Sequence, residues 1–349
     1  MSAESLAAEA QAPAENAEAS TADHAANVSP FVIARARVAA VTPVSTNFVR
    51  VTFTGDELRE FATPSAVFDL RIKLIFPPAS GELPRISGAD GWYQGWLALP
   101  ESERGSMRTY SIRDIRVVDG ETEIDIDFVL HLEPGLTGPA STWASGAGVG
   151  QELIIAGPRR GHDWGGIEFA PGAAPGAVLA GDETAAPAIA RIIEDSPALR
   201  GVAFIEVPSA DDILPIAAPA GFSVRWIARA HGEAHGTLLI PAVLDYLGTE
   251  AGGIDIRDVE TEDLLWETPV YSGLGESLAT DAVDGVGAAG SAGPGSEPRG
   301  FEPESRYFWI AGESGVVTTL RRHLVKDLGI DRKQVAFMGY WRKGVAMRG

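Results

Sequence analysis

Residues 176–194 read GAVLAGDETAAPAIARIIE, a short apolar run followed directly by a segment with helical spacing. The apolar run predicts a buried strand, and the residues after it predict a helix. Two later runs, GVAFIEV at 201–207 and SVRWIAR at 223–229, repeat the strand pattern, and TLLIPAVLDYL at 237–247 repeats the helix. Strands that alternate with helices indicate βαβ units and a mostly parallel sheet.

The alternation continues to the end of the chain, whereas the N-terminal half follows another pattern. YFWIAG, ESGVVTTLRRHLVKDLG and QVAFMGYW add a strand, a helix and a strand. Before residue 157 the sequence predicts short strands separated by turn residues, namely FVIARARVAAV, FVRVTFTG, VFDLRIKLIF, MRTYSIRDI, EIDIDFVLH and ELIIAGP. Such strands favour a small antiparallel barrel. A long loop that contains Trp92, Tyr93 and Trp96 precedes the fourth of them.

We therefore predict two folded domains, an all-β antiparallel barrel over 30–165 and a Rossmann-like α/β domain over 172–349. Residues 1–29 carry five acidic and no basic residues and show no period, which predicts a disordered acidic tail. In 281–300, Gly, Ala, Ser and Pro fill 14 of 20 positions, so we predict a flexible insertion at about 279–305.

Composition excludes several classes of function. The chain has no cysteine, which rules out disulfides, thiol catalysis and cysteine-bound iron–sulfur clusters, so any redox chemistry needs a bound organic cofactor. The net charge of −20 disfavours nucleic acid and anionic membranes as partners. No apolar run reaches membrane-spanning length and no signal sequence is present, so we expect a cytoplasmic protein, and we expect a monomer.

The stretch RTYSIR at 108–113 combines two arginines with an aromatic ring on a predicted strand. Alternation places Arg108 and Tyr110 on one face, with Thr109 and Ser111 on the other. A tyrosine ring can support a planar heterocycle, an arginine can bind a phosphate through two hydrogen bonds, and a serine can reach the polar edge of a ring. An ordinary barrel strand with surface arginines is an equal alternative from these six residues.

Three other stretches carry candidate binding residues, and each also has a purely structural interpretation. In HLEPGLTGPASTWASGAG, which begins at His131, Gly138 and Pro139 indicate a helix start where the backbone and Ser141 could bind an anion. Gly181 and Gly312 end two predicted parallel strands, the edge where such sheets bind ligands. Simple helix caps and strand-to-helix turns explain these features as well. The terminal GYWRKG places two aromatic and two basic residues beyond the last strand, unless it is only a frayed basic tail.

Taken in order, these stretches resemble the siderophore-interacting proteins, flavin-dependent ferric-siderophore reductases of ferredoxin-reductase-like architecture. The resemblance rests on RTYSIR, DFVLH followed by GPASTWA, AGPRRG, AGDETAAPAIARIIE, WIAGESGVVTTLRRHL and GYWRKG, within residues 108–344, with 31–76 similar to the first barrel strands. It implies FAD in the barrel and NADH or NADPH on the α/β domain. The acidic leader, the 281–300 insertion and the longer spacing between His131 and Gly138 depart from the family pattern.

The resemblance also implies residue roles. It matches the flavin site to Arg108, Thr109, Tyr110, Ser111, His131, Gly138, Ala140 and Ser141. It matches the nicotinamide side to Gly181, Asp182, Glu183, Thr184, Gly312 and Glu313, and the terminal motif to Tyr340 and Trp341. Candidates for the cations that face an iron chelate are Lys73, Arg342 and Lys343. No catalytic side chain and no protein metal ligand is expected, because the cofactor carries the electrons.

The function implied is reduction of ferric siderophores by NAD(P)H through FAD, with release of Fe(II). Two alternatives stay open: a flavin reductase that acts on quinone, free flavin or a protein, and a siderophore-binding protein without turnover. Asp211 and Asp212 after the second parallel strand favour NADH, because carboxylates repel a 2′-phosphate. Arg225 and Arg229 around the next strand favour NADPH instead.

Overall fold

The structure of the chain is a computed structural model. It describes residues 29–86, 91–131, 137–162, 165–230, 232–249, 266–267 and 305–343. The predicted insertion at 281–300, and the predicted tail apart from residue 29, lie outside the described residues.

The first half of the chain forms an antiparallel sheet that curls into a half-barrel. Its strands are β1 (Phe31–Pro43), β2 (Phe48–Thr54), β3 (Arg71–Phe76), β4 (Ser106–Ser111), β5 (Asp114–Val118), β6 (Glu121–Val129) and β7 (Glu152–Pro158). They pair in the order β4-β3-β7-β1-β2-β6-β5. The predicted antiparallel β domain is confirmed, and β4 and β5 lie at the two ends of the strand order rather than closing a ring.

In the described part of the chain, three α-helices and a 3-10 helix at Asp56–Glu60 accompany this sheet. The α-helices are α1 (Trp92–Leu97), α2 (Glu101–Arg104) and α3 (Pro139–Ser145). The segment around Trp92 was predicted as a loop, and that prediction is wrong for α1. Trp92 and Trp96 lie four positions apart, so both point to one side of a helix. That side packs on Ile75, Met107 and Ile154, which lie on the outer face of the sheet.

The second half of the chain forms a sheet with helices on both faces, as predicted. Its strands are β8 (Gly176–Gly181), β9 (Gly201–Val207), β10 (Phe222–Ala228), β11 (Trp266–Glu267), β12 (Arg306–Glu313) and β13 (Val335–Trp341). They pair in the order β10-β9-β8-β12-β13-β11, parallel except for the pair of β11 with β13. The helices are α4 (Ala186–Glu194), α5 (Leu239–Tyr246) and α6 (Ser314–Arg322), which continues as a π-helical turn over His323–Asp327.

The strand sequences explain this layering. Every residue of β8, β9 and β12 is buried, as expected for strands covered on both faces. One face packs against α4, and the opposite face packs against α5 and α6. Parallel strands place their carboxyl ends at one edge of the sheet, and β6 of the first sheet leads toward that same edge through His131.

Within the part of the chain that the structure describes, no helix is long and apolar enough to cross a membrane.

Candidate cofactor and nucleotide site

Strand β4 carries Arg108 and Tyr110 at one end of the first sheet. The Tyr110 ring packs against Phe128 with ring centres 4.7 Å apart, and burial raises the pKa of its phenol. The Arg108 guanidinium is half-buried, donates from Nη1 to the Met107 carbonyl at 2.6 Å, and has its pKa lowered by burial. Among the described residues no carboxylate forms an ion pair with Arg108, so no carboxylate there neutralises the charge of this half-buried guanidinium.

The other face of β4 carries Thr109, as the alternation predicts. Thr109 pairs in register with Lys73 of β3, and Lys73 Nζ donates to Thr109 Oγ1 at 2.7 Å. Burial and the neighbouring charge of Arg71 lower the pKa of Lys73. Lys73 therefore lies on the face opposite Tyr110, and Ser111 at the end of the strand is half-buried.

The loop into α3 departs from the expectation for Ser141. The Ser141 hydroxyl donates to the Val129 carbonyl at 2.9 Å and accepts from the His131 amide at 3.4 Å. The hydroxyl proton of Ser141 is therefore used in a hydrogen bond within the protein. It is not available to a bound anion, contrary to the sequence-based expectation. Gly138 is the residue before α3, and Ala140 is a buried residue of that helix.

Asp182 forms hydrogen bonds that link the carboxyl ends of three neighbouring strands, β8, β12 and β13. Its Oδ2 accepts from the Glu313 amide at 2.7 Å and from Trp341 Nε1 at 2.8 Å, while its Oδ1 accepts from the Thr184 amide at 2.9 Å. Burial, with the charge of Glu183, raises the pKa of Asp182. Gly312 has φ +140°, and a Cβ there would lie 2.7 Å from the Asp182 carboxyl carbon. Glycine is required at this close approach.

Beside Asp182 lies a group of buried charges that we call the Glu183 cluster, composed of Glu183, Arg229, Glu206 and His235. Glu183 accepts from Arg229 Nη1 and Nη2 at 2.8 and 2.9 Å and lies 2.9 Å from His235 Nε2. Burial opposes ionisation of Glu183, but the hydrogen bonds of His235 and Arg229 outweigh it and lower its pKa to about 2. Glu206 accepts from Arg229 at 3.2 Å and from the Gly236 amide at 2.9 Å.

Trp341 lies between the two sheets, next to two histidines. Its ring centre is 4.7 Å from that of His235 and 5.8 Å from that of His131. His131 Nε2 is buried without a hydrogen-bond partner among the described residues and lies 4.0 Å from Glu183 Oε1. The structure thus brings His131, Glu183 and Trp341 together from three distant parts of the chain, as the predicted site requires.

The remaining predicted residues also surround this edge of the second sheet. Glu313 begins α6, and its carboxylate accepts from the Val316 amide at 3.0 Å and from the Lys343 amide at 3.3 Å. The Tyr340 ring contacts Trp309 edge-on at 6.3 Å, and burial raises the pKa of its phenol. Arg342 is half-buried and Lys343 is exposed.

The residues expected to discriminate NADH from NADPH have other partners. Asp212 accepts from the Ser45 hydroxyl at 2.7 Å and from the Asn47 amide at 2.9 Å, so it joins the two domains. The Arg229 guanidinium forms ion pairs with two carboxylates of the Glu183 cluster, so it is unavailable to a 2′-phosphate. The expectations are corrected for Asp212 and Arg229, because long-range partners already satisfy these two charges. Arg225 is exposed and lies over the Tyr246 ring at 5.4 Å.

Sequence reasoning missed His235, which completes the Glu183 cluster. The residue follows β10 by seven positions, at the same sheet edge as Gly181 and Gly312. The rule that ligand-binding residues follow parallel strands could have found it, since β10 was predicted. Its carboxylate partner, however, lies 52 residues away in sequence.

Known families account for most of this architecture. The sequence profile described as siderophore-interacting protein matches residues 174–344, and the profile of the siderophore-interacting FAD-binding domain matches residues 37–162. The chain belongs to the siderophore-interacting protein family. The family predicted from RTYSIR, AGDETAAPAIARIIE and GYWRKG is confirmed.

Relatives of this siderophore-interacting protein are similar over most of their length. The ferric vibriobactin reductase ViuB of Vibrio cholerae is 32% identical over 302 residues, which cover 86% of each chain. An uncharacterized protein of Mycobacterium tuberculosis is 31% identical over 314 residues, 88% of this chain and 89% of the other. The crystal structure of the siderophore-interacting protein SipS from Aeromonas hydrophila is 26% identical, with a TM-score of 0.56, and covers 90% of this chain and 99% of SipS.

The residues of the FAD-binding domain fit the cofactor that its family name states. The Arg108 guanidinium, half-buried beside Tyr110 and without a carboxylate among the described residues, can receive a diphosphate. The Tyr110 ring offers an aromatic surface and packs against the Phe128 ring. An arginine and an aromatic ring of this kind can bind a cofactor that carries a diphosphate and a planar ring.

Proposed function

We propose that the protein is a flavin-dependent reductase that transfers electrons from NAD(P)H through FAD to ferric siderophores and releases Fe(II). The observation that carries the proposal is Arg108, a half-buried cation beside Tyr110 with no carboxylate partner among the described residues. The similarity to a relative named ferric vibriobactin reductase supports the choice of substrate class. The proposal places the reaction in the cytoplasm, with the protein as a monomer.

In this proposal β4 and the start of α3 hold FAD, which supplies the hydride-accepting and one-electron chemistry. Arg108 binds the diphosphate and Tyr110 supports the planar ring, while Thr109 lies on the opposite face of β4 and Ser111 ends the strand. His131, Gly138, Ala140 and the backbone at Ser141 border the same site from β6 and α3.

The carboxyl edge of the second sheet receives NAD(P)H in this proposal. Gly181 and Gly312 allow the strand ends to pack closely against Ala185 and Asp182, and the hydrogen bonds of Asp182 with Thr184 and Glu313 hold these ends rigid. Rigidity matters because hydride transfer needs the reacting atoms to be held in contact distance and orientation. Glu183 acts within its cluster and not as a ligand of the nucleotide.

Lys73, Arg342 and Lys343 are the proposed cations for the iron chelate. Lys73 is half-buried with its ammonium directed to Thr109, and burial of part of the lysine strengthens its attraction for an anionic ligand. Arg342 and Lys343 follow directly after Trp341, which the fold holds at the domain interface.

An anaerobic titration tests the proposed function. Purified protein loaded with FAD is mixed with NADH or NADPH, and bleaching of the flavin absorbance is recorded. Ferric chelates of the catecholate and hydroxamate classes are then added, with an Fe(II)-specific chromogenic chelator to detect product. We expect bleaching by one nicotinamide and reoxidation with formation of Fe(II).

Each other outcome selects a different function. Protein that binds a ferric chelate but whose flavin is not bleached by either nicotinamide would be a carrier without turnover. Bleaching followed by reoxidation with a quinone or free flavin, and not with any ferric chelate, would identify another reductase. Protein that cannot be loaded with FAD would contradict the proposal altogether.

A further inference from the structure

The Glu183 cluster contacts Trp341 through the ring of His235 and has no part in the proposed electron path. His235 Nε2 lies 2.9 Å from Glu183 Oε1, and the His235 ring meets the Trp341 indole edge-on at 4.7 Å. The His235 side chain is 20% exposed, whereas that of Glu183 is fully buried. A buried carboxylate therefore contacts an imidazole that in turn packs on the indole.

The charges around His235 favour its protonated form. Glu183 and Asp182 face it from the end of β8, with Arg229 after β10 and Glu206 at the end of β9 as the other charged neighbours. His131 reaches the same Glu183 oxygen from the first sheet, at 4.0 Å. Burial alone would lower the pKa of His235, but the hydrogen bond and charge of Glu183 and the charge of Asp182 outweigh it and raise the pKa above 6.5.

Trp341 lies between this cluster and the basic residues that follow it in the chain. Its Nε1 donates to Asp182 at 2.8 Å, and its carbonyl accepts from the Ser314 hydroxyl at 2.9 Å. The Lys343 amide donates to Glu313 at 3.3 Å. The segment from Trp341 to Lys343 is thus held on one side by backbone contacts and on the other by the ring of His235.

We propose that Glu183 and His235 are positioning residues, and that a proton held on His235 keeps Trp341 in place and thereby presents Arg342 and Lys343 to an anionic electron acceptor. An imidazolium is attracted to the electron-rich indole face more strongly than a neutral imidazole is. The part that concerns the acceptor rests on the proposed function; the proton-dependent placement of Trp341 does not.

The sign of the pH dependence follows from the raised pKa of His235. A group whose pKa is higher in the folded protein stabilises its contacts fully below its ordinary value, and this stabilisation is lost as the pH rises through the folded value. We therefore expect the segment from Trp341 to Lys343 to loosen on the alkaline side of the His235 titration, and binding of an anionic chelate to weaken over the same interval.

The first experiment needs no turnover. The full-length FAD-loaded protein is labelled with ¹⁵N-histidine, and the His235 ring signals, assigned by their loss in H235Q, are followed against pH together with the Trp341 contribution to fluorescence, assigned with W341F. We expect both to change with one midpoint in the wild type, and the midpoint to move to lower pH in E183Q. Trp341 fluorescence should not titrate in H235Q, which keeps a donor toward Glu183 but binds no proton.

A matched control uses a histidine–carboxylate pair that does not involve Glu183. His323 Nδ1 lies 3.0 Å from Asp327 Oδ2 on the π-helical turn. D327N removes this second carboxylate and should leave the His235 midpoint unchanged. A His235 midpoint equal in wild type and E183Q, or Trp341 fluorescence that titrates unchanged in H235Q, would overturn the proposal. If E183Q does not fold, H235Q alone decides between these results.

The second experiment tests the link to the acceptor. Gallium(III) tris-catecholate, a trianion that the flavin cannot reduce, is titrated into wild type and H235Q at several pH values. We expect the wild-type dissociation constant to rise roughly two- to thirtyfold across the His235 titration and that of H235Q to stay flat. With a ferric tris-catecholate, KM should rise more than kcat falls. Equal pH profiles would refute the link, whereas absence of turnover would refute only the proposed function.

Discussion

At the scale of single residues, Arg229 and Arg108 differ in whether a carboxylate neutralises the charge of the guanidinium. Arg229 is buried with its guanidinium on Glu183 and Glu206, and although burial opposes its charge, these carboxylates raise its pKa. Arg108 is half-buried without a carboxylate among the described residues, and burial lowers its pKa. A cation held partly out of water without an anion is costly, so Arg108 is the arginine that gains most from an anionic ligand.

Replacement of Arg108 by glutamine should weaken the binding of FAD. A hydrogen bond to a charged group contributes about 1.5–3 kcal/mol, so we expect the dissociation constant of FAD to rise by about ten- to a hundredfold. Titration of apoprotein with FAD, followed by flavin fluorescence, measures the change. R225Q, which alters an exposed arginine of the second sheet, should leave the affinity as in the wild type. Equal affinities of R108Q and wild type would remove Arg108 from the cofactor site.

At the scale of secondary structure, α1 determines how the outer face of the first sheet is covered. Trp96 is 1% exposed and packs in the cluster that contains Ile75 and Met107. Its Nε1 donates to the Arg104 carbonyl at 2.8 Å, and the Arg104 guanidinium lies over its ring at 5.3 Å. Trp96 therefore anchors the helix together with Trp92, and it also supports β4 from the face opposite Tyr110.

Replacement of Trp96 by alanine should destabilise the first domain strongly. Removal of a buried large aromatic side chain costs about 3–5 kcal/mol. Urea unfolding followed by circular dichroism measures the loss. Tyr93 on the same helix is 39% exposed, so Y93A should cost about 1 kcal/mol or less. Similar losses for W96A and Y93A would mean that the helix does not cover the sheet through Trp96.

At the scale of the whole molecule, buried carboxylates hold the two domains together. Asp69 of the first domain accepts from Trp309 Nε1 of β12 at 2.9 Å, and Arg113 forms two hydrogen bonds with Glu194 of α4. Asp212 of the second domain accepts from Ser45 and Asn47. Such contacts fix the angle between the sheets, and with it the distance from β4 to the end of β13.

Replacement of Asp212 by asparagine should loosen this interface. The new amide would direct a donor at the Asn47 side chain, which donates to Asp212 Oδ2 at 2.7 Å in the wild type. We expect a loss of about 1–3 kcal/mol, measured as a lower or split transition in calorimetry. D211N at the exposed neighbour is the matched control and should melt like the wild type.

Acid should weaken the same interface in the wild type. Burial would raise the pKa of Asp212, but hydrogen bonds from Asn47 and Ser45 outweigh it and hold the pKa below 3.8. Its stabilisation is therefore present above that ordinary value and is lost as the pH falls through the folded value. The melting difference between wild type and D212N should shrink over this acidic interval, and a difference independent of pH would contradict the assignment.

The elements that sequence predicted best are those whose apolar runs are continuous. The predicted bounds of β7, β8 and β9 coincide with the observed strands, because burial on both faces leaves an uninterrupted apolar signal. The strand predicted at 67–76 begins only at Arg71. Phe68 adopts φ 48°, and Asp69 turns into the domain interface to reach Trp309, a partner 240 residues further along the chain.

The amino-acid sequence alone predicted the order of the two domains, the family of the protein and the residues that form β4. It could do so because apolar periodicity and short motifs are local properties of the chain. The roles of Asp212, Arg229 and Ser141 were decided by tertiary structure. Each of these polar groups is satisfied by a partner that folding brings near, in the case of Asp212 and Asn47 from 165 positions away. A buried charge takes whichever opposite charge or donor lies within hydrogen-bond distance, and only the packed chain determines which group that is.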